Sequence, residues 1–337
     1  MRLSILDYSP VDEGETARDA LNATTRLAQQ ADALGFERFW VSEHHHTDSL
    51  ASTAPEGLMM HLAASTDRIR VGSGGVMLPH YSSIKVAENY KLIEALYPNR
   101  VDLGFGRTPG ADHLITHALN EEKGVELAYA DKVRDLKAFV SGAYPDGHRF
   151  SGVVARPRLE TTPQMWVLGA SGNTSELAAS EGLGFVFAHF INPSGRGPHA
   201  ADAYRRRFTP SAFLDQPEVI VAVFVADTED EARESAATVH LWLAQVEGRR
   251  APVHRFPSVR TARQHQYSPA EKAAITRNQP RVLAGTAPRV YAGLTALAQR
   301  YRTDQIMILP VVAAAEARLR AVEFLAAEAG RAHPLSA

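Results

Sequence analysis

Residues 69–106, IRVGSGGVMLPHYSSIKVAENYKLIEALYPNRVDLGFG, contain two short apolar runs on either side of a longer segment. The runs at 69–72 (IRVG) and 101–105 (VDLGF) have the length and apolar character of buried strands. Between them, residues 84–96 are predicted to form a helix. Parallel strands need a crossover connection, which is usually a helix, so this stretch predicts a strand–helix–strand unit of a parallel sheet.

The same alternation extends in both directions along the chain. Upstream, apolar runs at 3–7 and 38–42 each precede a predicted helix, over 17–34 and 55–64. Downstream, the predicted elements are a helix near 126–140, strands at 165–168, 184–188, 219–225 and 305–309, and a closing helix over 314–329. Eight strands alternating with helices predict an α/β fold, the (β/α)8 TIM barrel. We expect one domain over 1–337, with insertion loops at the C-terminal ends of the strands.

A doubly wound open sheet would give the same local alternation, so the strand count alone does not separate the two folds. The nearest match to a dinucleotide fingerprint is GFGRTPG at 104–110. Its third glycine comes one position late, and a proline stands where that glycine is expected. The match also follows the fourth strand and not the first. The sequence therefore favours the closed barrel.

Composition excludes several classes of protein. The 337 residues carry 36 Lys and Arg against 38 Asp and Glu, a formal charge of −2, which gives no support for a nucleic-acid binder. No cysteine is present, which excludes a disulfide framework, a thiol nucleophile, a Cys-ligated zinc and an iron–sulfur cluster. The N-terminus lacks a signal-peptide pattern, and no apolar run reaches about 18 residues, so a soluble cytoplasmic protein is expected.

Two segments depart from the alternation. Residues 148–158 are polar, and a small hairpin is expected there. Residues 248–281 are rich in Arg, Pro, Gln and His, with weak periodicity. Loops of this length in a compact barrel are usually functional or disordered. Because this one follows the seventh strand, we expect it to be a lid over the catalytic face.

Three histidines and a carboxylate, EHHH at 43–46, come directly after the second strand. Catalytic groups of a barrel lie at the C-terminal ends of its strands, so this cluster is a candidate for chemistry. His44 and His46 could share one face of an extended strand and bind a metal, but the last strand ends in LPVV (309–312), without the acidic ligand that such a site needs. Alternatively, one histidine is a general base or hydrogen-bond donor, and Glu43 orients a polar ligand or its neighbours. Ordinary polar packing of any one histidine also stays open.

Glycine-rich segments follow the third and fourth strands. After the third, Ser73, Gly74 and Gly75 leave the backbone accessible to a flat ring at the barrel mouth and could include a cis peptide. After the fourth, Arg107 projects from a glycine-flanked turn, where its guanidinium could reach a phosphate or ring oxygen. A surface salt bridge is the alternative for Arg107.

The loop after the fifth strand, GASGNTS at 169–175, combines small residues with hydroxyls before a helix expected to begin near residue 176. Free backbone N–H groups, the helix dipole and the hydroxyls would converge there on a phosphate. Ordinary N-capping needs one hydroxyl, and this loop offers three together with an asparagine. The candidate binding residues of this loop are Ala170, Ser171, Gly172 and Thr174.

Six stretches together resemble the bacterial-luciferase-like flavin-dependent monooxygenases, in the right order and over nearly the full length. They are VSEHHH (41–46), RVGSGGVMLPH (70–80), NRVDLGFGRTPG (99–110), WVLGASGNTSELAASEG (166–182), GFVFAHF (184–190) and GTAPRVYAGLTALAQRYRTDQIMIL (285–309). These stretches are specific to the superfamily and much less so to a substrate. Residues 248–281 match no part of the family pattern.

The resemblance implies a (β/α)8 barrel that uses reduced FMN and O2. In the family pattern His44 is the catalytic base, Gly74–Gly75 is a nonprolyl cis peptide, Arg107 contacts the flavin, and Ser171 with Thr174 binds its phosphate. Oxygen would add at C4a of the flavin, and the resulting peroxide would oxidise a small organic substrate, such as a carbonyl compound. Because no NAD(P)H fingerprint is present, a separate NAD(P)H:flavin reductase would supply the reduced flavin. A homodimer is expected.

Three other functions stay open at this point. A related branch of the superfamily uses the deazaflavin F420 for hydride transfer without oxygen, and these motifs do not exclude it. A metal hydrolase would use the histidines after the second strand. A non-catalytic flavin-binding protein would hold FMN tightly and consume no oxygen.

Overall fold

The structure is a computed structural model and describes residues 1–107, 113–120, 127–226, 232–248 and 253–332. Its strands are β1 (Arg2–Asp7), β2 (Arg38–Val41), β3 (Arg70–Ser73), β4 (Val76–Met77), β5 (Val101–Gly106), β6 (Gln164–Gly169), β7 (Gly184–Ala188), β8 (Val219–Val225), β9 (Val282–Leu283) and β10 (Gln305–Leu309). Eight of them pair in parallel in the order β10-β1-β2-β3-β5-β6-β7-β8, and β8 pairs again with β10. The sheet is therefore a closed barrel, as predicted, and β4 and β9 are two-residue additions on β5 and β8.

Helices connect the strands on the outside of the barrel. They are α1 (Ala17–Ala33), α2 (Pro55–Ala64), α3 (Ser83–Leu96), α4 (His113–Leu119), α5 (Tyr129–Ser141), α6 (Gly172–Glu181), α7 (Arg196–Arg207), α8 (Ala232–Gly248), α9 (Val259–Gln264), α10 (Pro269–Asn278), α11 (Ala287–Tyr301) and α12 (Ala315–Ala332). Within the ranges given above, no helix is both long enough and apolar enough to span a bilayer.

Alternate residues of each strand face the barrel interior and the surrounding helices, because side chains alternate along a strand. On β8, Ile220, Ala222 and Phe224 join the interior cluster, while the odd-numbered valines pack in the outer layer with helix residues. Trp40 and Trp166 fill the centre, with ring centroids 6.0 Å apart. The interior is thus a packed core, and a site has room only where the strands end.

The eight predicted barrel strands all occur, each within one residue of its predicted bounds at either end. The hairpin expected at 148–158 is wrong, because these residues, all of them described, form turns without a strand. Side-chain contacts with α5 hold the segment in place instead of strand pairing. The Phe150 ring lies 5.5 Å from that of Phe139, and Arg149 forms an ion pair with Asp135. Strand pairing is not needed to fix such a segment in place.

The expected lid is more regular than its sequence suggests. Its described part, 253–281, contains the helices α9 and α10, which begin where the side chains of Ser258 and Ser268 accept backbone N–H groups. Arg, Gln and Lys are good helix formers that leave no apolar periodicity, which is why the pattern predicts an irregular loop.

Phe256 attaches this segment to the C-terminal face of the barrel. The side chain is fully buried, and its ring centroid lies 5.7 Å from that of Trp242 on α8. Its backbone N–H donates to the carbonyl of Val11, and its own carbonyl accepts from Glu13 N–H. The segment therefore packs beside the loop that follows β1, on the face where a barrel carries its site.

Candidate functional site

His44 lies three residues beyond the end of β2, at the C-terminal mouth of the barrel. Its Nδ1 is 2.9 Å from Ser42 Oγ, and its ring centroid is 4.7 Å from that of Tyr8. Among the described residues, its Nε2 has no hydrogen-bond partner. Burial, and secondarily the neighbouring His45, lowers the pKa of His44 to about 4. The imidazole is therefore neutral at physiological pH, with one nitrogen available to a ligand.

Glu43 is buried, and its carboxylate binds neighbouring protein groups. It accepts hydrogen bonds from the backbone N–H of Met77 at 2.8 Å and from the Tyr81 hydroxyl at 2.5 Å. Its Oε1 is also 2.8 Å from Nε2 of His45. Of the two roles that the sequence left open, orienting a ligand or orienting neighbours, these contacts support the second. Glu43 ties the end of β2 to the glycine segment after β3.

Burial, together with the hydrogen bond to Glu43, raises the pKa of Tyr81, so this phenol stays protonated and donates to the carboxylate. His46 has a positive φ of 56° and an exposed side chain. No group of three or more potential metal ligands occurs in the part of the chain that the structure describes.

The peptide between Gly74 and Gly75 is cis, as the family resemblance implies. A Cβ on Gly74 would lie 2.6 Å from Leu6 Cδ1, and one on Gly75 would lie 2.9 Å from the carbonyl oxygen of Gly104. Neighbouring strands thus approach these positions too closely for a side chain. Room for a flat ring, the reason that the sequence suggested, is not needed to explain these glycines.

Ser73 uses its hydroxyl inside the protein. The side chain is fully buried, donates to the Gly104 carbonyl at 2.6 Å and accepts from the Tyr90 hydroxyl at 2.5 Å. Contact between the Ser73 hydroxyl and a cofactor is therefore disfavoured, and only its backbone is left for the predicted role.

Arg107 directly follows β5, and its side chain is exposed. It forms no ion pair with any described residue, so the salt-bridge alternative finds no support in that part of the chain. Arg107 lies near Tyr129, the first residue of α5. Burial raises the pKa of the Tyr129 phenol, and the Arg107 charge offsets part of that rise. Residues 108–110 of the matching motif lie outside the described residues.

The N-terminus of α6 carries the strongest candidate for an anion site. The helix begins at Gly172, four residues before the predicted start, which places Thr174 in its first turn. Ser171 is the N-cap residue, yet its side chain makes no capping hydrogen bond, and its Oγ lies 3.2 Å from Thr174 Oγ1. Ser171 and Gly172 are exposed. Two hydroxyls and uncapped N–H groups at a helix N-terminus are the donors that a phosphate needs.

The residues that flank this turn explain its shape. A Cβ on Gly169 would lie 2.4 Å from Thr174 Oγ1, so only glycine lets the threonine fold back over the end of β6. The carbonyl of Ala170 accepts a hydrogen bond from Asn192 Nδ2 at 3.2 Å, which links this loop to the one after β7. The Ala170 carbonyl thus helps to fix the loop. A phosphate would contact the residues next to Ala170.

Two further residues at strand ends escaped the sequence analysis. Tyr8 directly follows β1, and His189 directly follows β7. His189 is buried, with its Nδ1 3.0 Å from the Tyr301 hydroxyl, and burial, with a smaller effect of Arg300, lowers its pKa to about 4. The rule that singled out His44, a polar residue just past a barrel strand, applies equally to both residues.

Comparisons with known proteins agree on one family. The sequence matches the luciferase-like monooxygenase family over residues 1–304. It is 39% identical over 326 residues to N-acetyl-S-alkylcysteine monooxygenase of Bacillus subtilis (strain 168), covering 95% of this chain and 96% of that protein.

Two solved structures are similar to this chain over nearly its whole length. The crystal structure of apo-MsnO8 has a TM-score of 0.86 and 35% identity, covering 97% of this chain and 96% of that one. The oxygenating constituent of 3,6-diketocamphane monooxygenase from Pseudomonas putida, a type II Baeyer–Villiger monooxygenase in complex with FMN, has a TM-score of 0.68. The two structures match over 97% of each chain, with 18% sequence identity. This similarity shows a shared fold and nothing more.

Proposed function

The chain belongs to the luciferase-like monooxygenase family, and from this premise we propose that it is an FMNH2-dependent monooxygenase acting on a small organic substrate. When bound, reduced FMN supplies the two electrons with which one atom of O2 enters the substrate and the other leaves as water. The proposal assigns the FMN phosphate to α6 and proton transfer to His44.

The N-terminus of α6 is the observation that carries this proposal. FMN differs from riboflavin by its phosphate, and the pair Ser171 and Thr174 offers two hydroxyls 3.2 Å apart beside uncapped N–H groups. The helix has ten residues, so its dipole also favours an anion at this end. Arg107, exposed after β5, adds a cation at the same face of the barrel. This donor set fits a phosphate monoester.

His44 fits the handling of a proton near the substrate. Its pKa of about 4 keeps the imidazole neutral, and its Nε2 has no partner among the described residues. A neutral imidazole can accept a proton during a reaction and return it afterwards. Glu43 accepts a hydrogen bond from the backbone N–H of Met77 and contacts the imidazole of His45, so we assign it the role of a positioning residue.

A separate reductase is part of the proposal. The chain carries no dinucleotide fingerprint for NAD(P)H. A structural neighbour is described as the oxygenating constituent of its enzyme, which is the arrangement that we propose here.

Binding of FMN and riboflavin to one double variant tests the phosphate assignment. Replacing Ser171 and Thr174 by alanine removes hydrogen bonds to a charged group worth roughly 1.5–3 kcal/mol each, so FMN affinity should fall about tenfold or more. Riboflavin affinity should barely change. Ser180→Ala, at an exposed position near the C-terminal end of the same helix, is the matched control and should bind both flavins as the wild type does. Equal weakening of FMN and riboflavin would reject the phosphate site.

A second experiment tests the cofactor and the reaction. The wild-type protein, a generic flavin reductase, NADH, FMN, 18O2 and a metabolite extract should form a product that carries one 18O atom and that is absent when the protein is omitted. Tighter binding of F420 than of FMN would favour hydride transfer without oxygen. Stoichiometric FMN binding without such a product would favour a flavin-storage protein.

A further inference from the structure

A cavity of about 750 Å³ lies at the N-terminal end of the barrel, opposite the mouth. Its walls come from the starts of β1, β8 and β10 and from the helices α7 and α11. Val219, Tyr291 and Ala298 supply apolar surface, and most of the other lining residues carry a charge or an amide. Pockets for small molecules typically enclose about 300–1,000 Å³, so this cavity is large enough to hold a ligand.

Glu218, which directly precedes β8, lines the cavity with a carboxylate. The carboxylate accepts a hydrogen bond from Gln305 Nε2 at 2.8 Å. Among the described residues, Glu218 forms no ion pair. Because the amide of Gln305 is neutral, no cation balances the negative charge of Glu218 at short range. Glu218 can therefore still bind an ammonium group.

Arg205 on α7 and Arg302 after α11 line the cavity with two guanidinium groups. Both contact a single carboxylate, that of Asp202, with Arg205 Nη1 at 3.5 Å. Burial lowers the pKa of Arg205, and the charge of Arg302 lowers it further, although Asp202 offsets part of this effect. Two cations thus share one anion, and this side of the cavity keeps a positive charge.

Arg2 and Asp304 complete the charged lining and pair with each other, with Arg2 Nε 2.9 Å from the carboxylate. Arg2 also contacts Glu37, whose other partner is Arg38. The cavity therefore has a negative side at Glu218 and a positive side at the two arginines that share a carboxylate. A ligand with a single charge is attracted by one side and repelled by the other, whereas a ligand with both charges is attracted by both.

We propose that this cavity binds a small zwitterion with an apolar side group, which is the chemistry of a free α-amino acid. The ammonium group contacts Glu218, and the carboxylate contacts Arg302, whose planar fork of N–H donors matches a carboxylate. The apolar side group lies against Tyr291 and Ala298. This site is at the opposite end of the barrel from His44 and does not rest on the monooxygenase activity proposed above.

Three probes with related carbon skeletons test the site on the wild-type protein. Leucine carries both charges, 3-methylbutylamine lacks the carboxylate, and 4-methylpentanoate lacks the ammonium group. Titration calorimetry should show that leucine binds about tenfold more tightly than either of the other two, because each of them loses one charge-assisted contact.

Two variants test the two charged sides separately. Glu218→Gln keeps the shape of the side chain and should weaken leucine binding about tenfold, while leaving the affinity for 4-methylpentanoate unchanged. Arg302→Gln, at a side chain that is 70% exposed, should weaken leucine binding and leave the affinity for 3-methylbutylamine unchanged. Glu316→Gln, in an exposed ion pair outside the cavity, is the control and should bind all three probes as the wild type does.

Several results would overturn this site. They are equal binding of the three probes, no binding of leucine, or an equal effect of Glu218→Gln on leucine and 4-methylpentanoate. If a variant does not fold, the ranking of the three probes on the wild type decides. Leucine binding with the expected ranking, in a protein that forms no oxygenated product, would reject the proposed activity and leave this site standing.

Discussion

The carboxylate buried at the N-terminal end of the barrel and two polar groups at its mouth differ in their partners. At the N-terminal end, Asp102 is fully buried, and its carboxylate receives hydrogen bonds from Arg38, Arg70 and Trp40, on the two preceding strands of the barrel. At the C-terminal mouth, Tyr8 and His44 each keep one polar atom without a partner among the described residues.

This difference in hydrogen-bond partners indicates a structural role for Asp102 at the N-terminal end and a binding role for the mouth. A charge that is paired within the protein contributes to a unique, stable packing, and removing one partner is costly. The atoms of Tyr8 and His44 that lack a partner are not among the buried ones, so they stay accessible to water and to a ligand. Substitution of Asp102 should therefore change stability, and substitutions at the mouth should change binding and turnover.

His44→Ala is the strongest test of the mouth. Loss of a general base typically lowers turnover roughly 10²–10⁴-fold, while FMN affinity should stay within about threefold if α6 holds the phosphate, as we propose. Steady-state kinetics with reduced FMN and the identified substrate measure the first, and flavin titration measures the second. His45→Ala and His46→Ala, whose side chains point elsewhere, should lose less activity. Near-normal turnover in His44→Ala would remove this histidine from the chemistry.

Asp102→Asn tests the opposite end. Arg38 and Arg70 hold the pKa of this carboxyl below its usual range, although burial alone would raise it. Neutralising it removes the counter-ion of the partly buried Arg70 and one of the two counter-ions of the buried Arg38, which keeps Glu37, so the free energy of unfolding should fall by about 3 kcal/mol. Urea denaturation measures this loss. Glu316→Gln breaks the exposed pair with Arg26 and should cost less than about 1 kcal/mol. If Asp102→Asn lowered turnover of the folded enzyme and spared stability, the contrast between the two ends would be wrong.

Phe256→Ala tests whether the segment 253–281 covers the mouth, as we propose for a lid. The buried ring is the anchor described above, and its loss should raise the rate of tryptic cleavage at Arg260 and Arg263 about tenfold. Phe324→Ala, at a partly exposed position on α12, should leave that rate unchanged. In the wild type, reduced FMN with substrate should protect the segment. First cleavage elsewhere, unaffected by ligand, would contradict a lid.

The free energy of unfolding should depend on pH differently through His44 at the mouth and through Asp102 at the N-terminal end. This is the smallest of the effects that we expect. Because the folded-state pKa of His44 is lowered to about 4 from 6.5, unfolding takes up a proton between these values. Its contribution is complete above about pH 6.5 and is lost as the pH falls towards 4. The Asp102 contribution is lost only below the usual pKa of a carboxyl.

His44→Gln should therefore reduce the drop in melting temperature between pH 7 and pH 5 by roughly 2 °C. His199→Gln, at an exposed position on α7, should not. Thermal melts of the three proteins at both pH values measure the difference. An unchanged drop in His44→Gln would mean that this histidine is charged in the folded protein.

The fold was predictable because short buried runs such as 219–225 are unmistakable when helices separate them at regular intervals. The cis peptide at Gly74–Gly75 came from the family resemblance, and a run of glycines would not have predicted it alone. Partners across the fold were not predictable. The contact of Glu43 with Tyr81, and the lack of a hydrogen bond between the Tyr8 hydroxyl and any described residue, depend on packing between strands that no local pattern records.

The filled interior of the barrel limits how ligands can reach the site. Leu6, Trp40, Trp166, Ile220 and Met307 are each no more than 2% exposed and close the tube between its ends. The C-terminal mouth is thus closed from below, and a molecule that binds there arrives and leaves on that face. Where two molecules bind in turn, the second covers the first and limits the access of water to it.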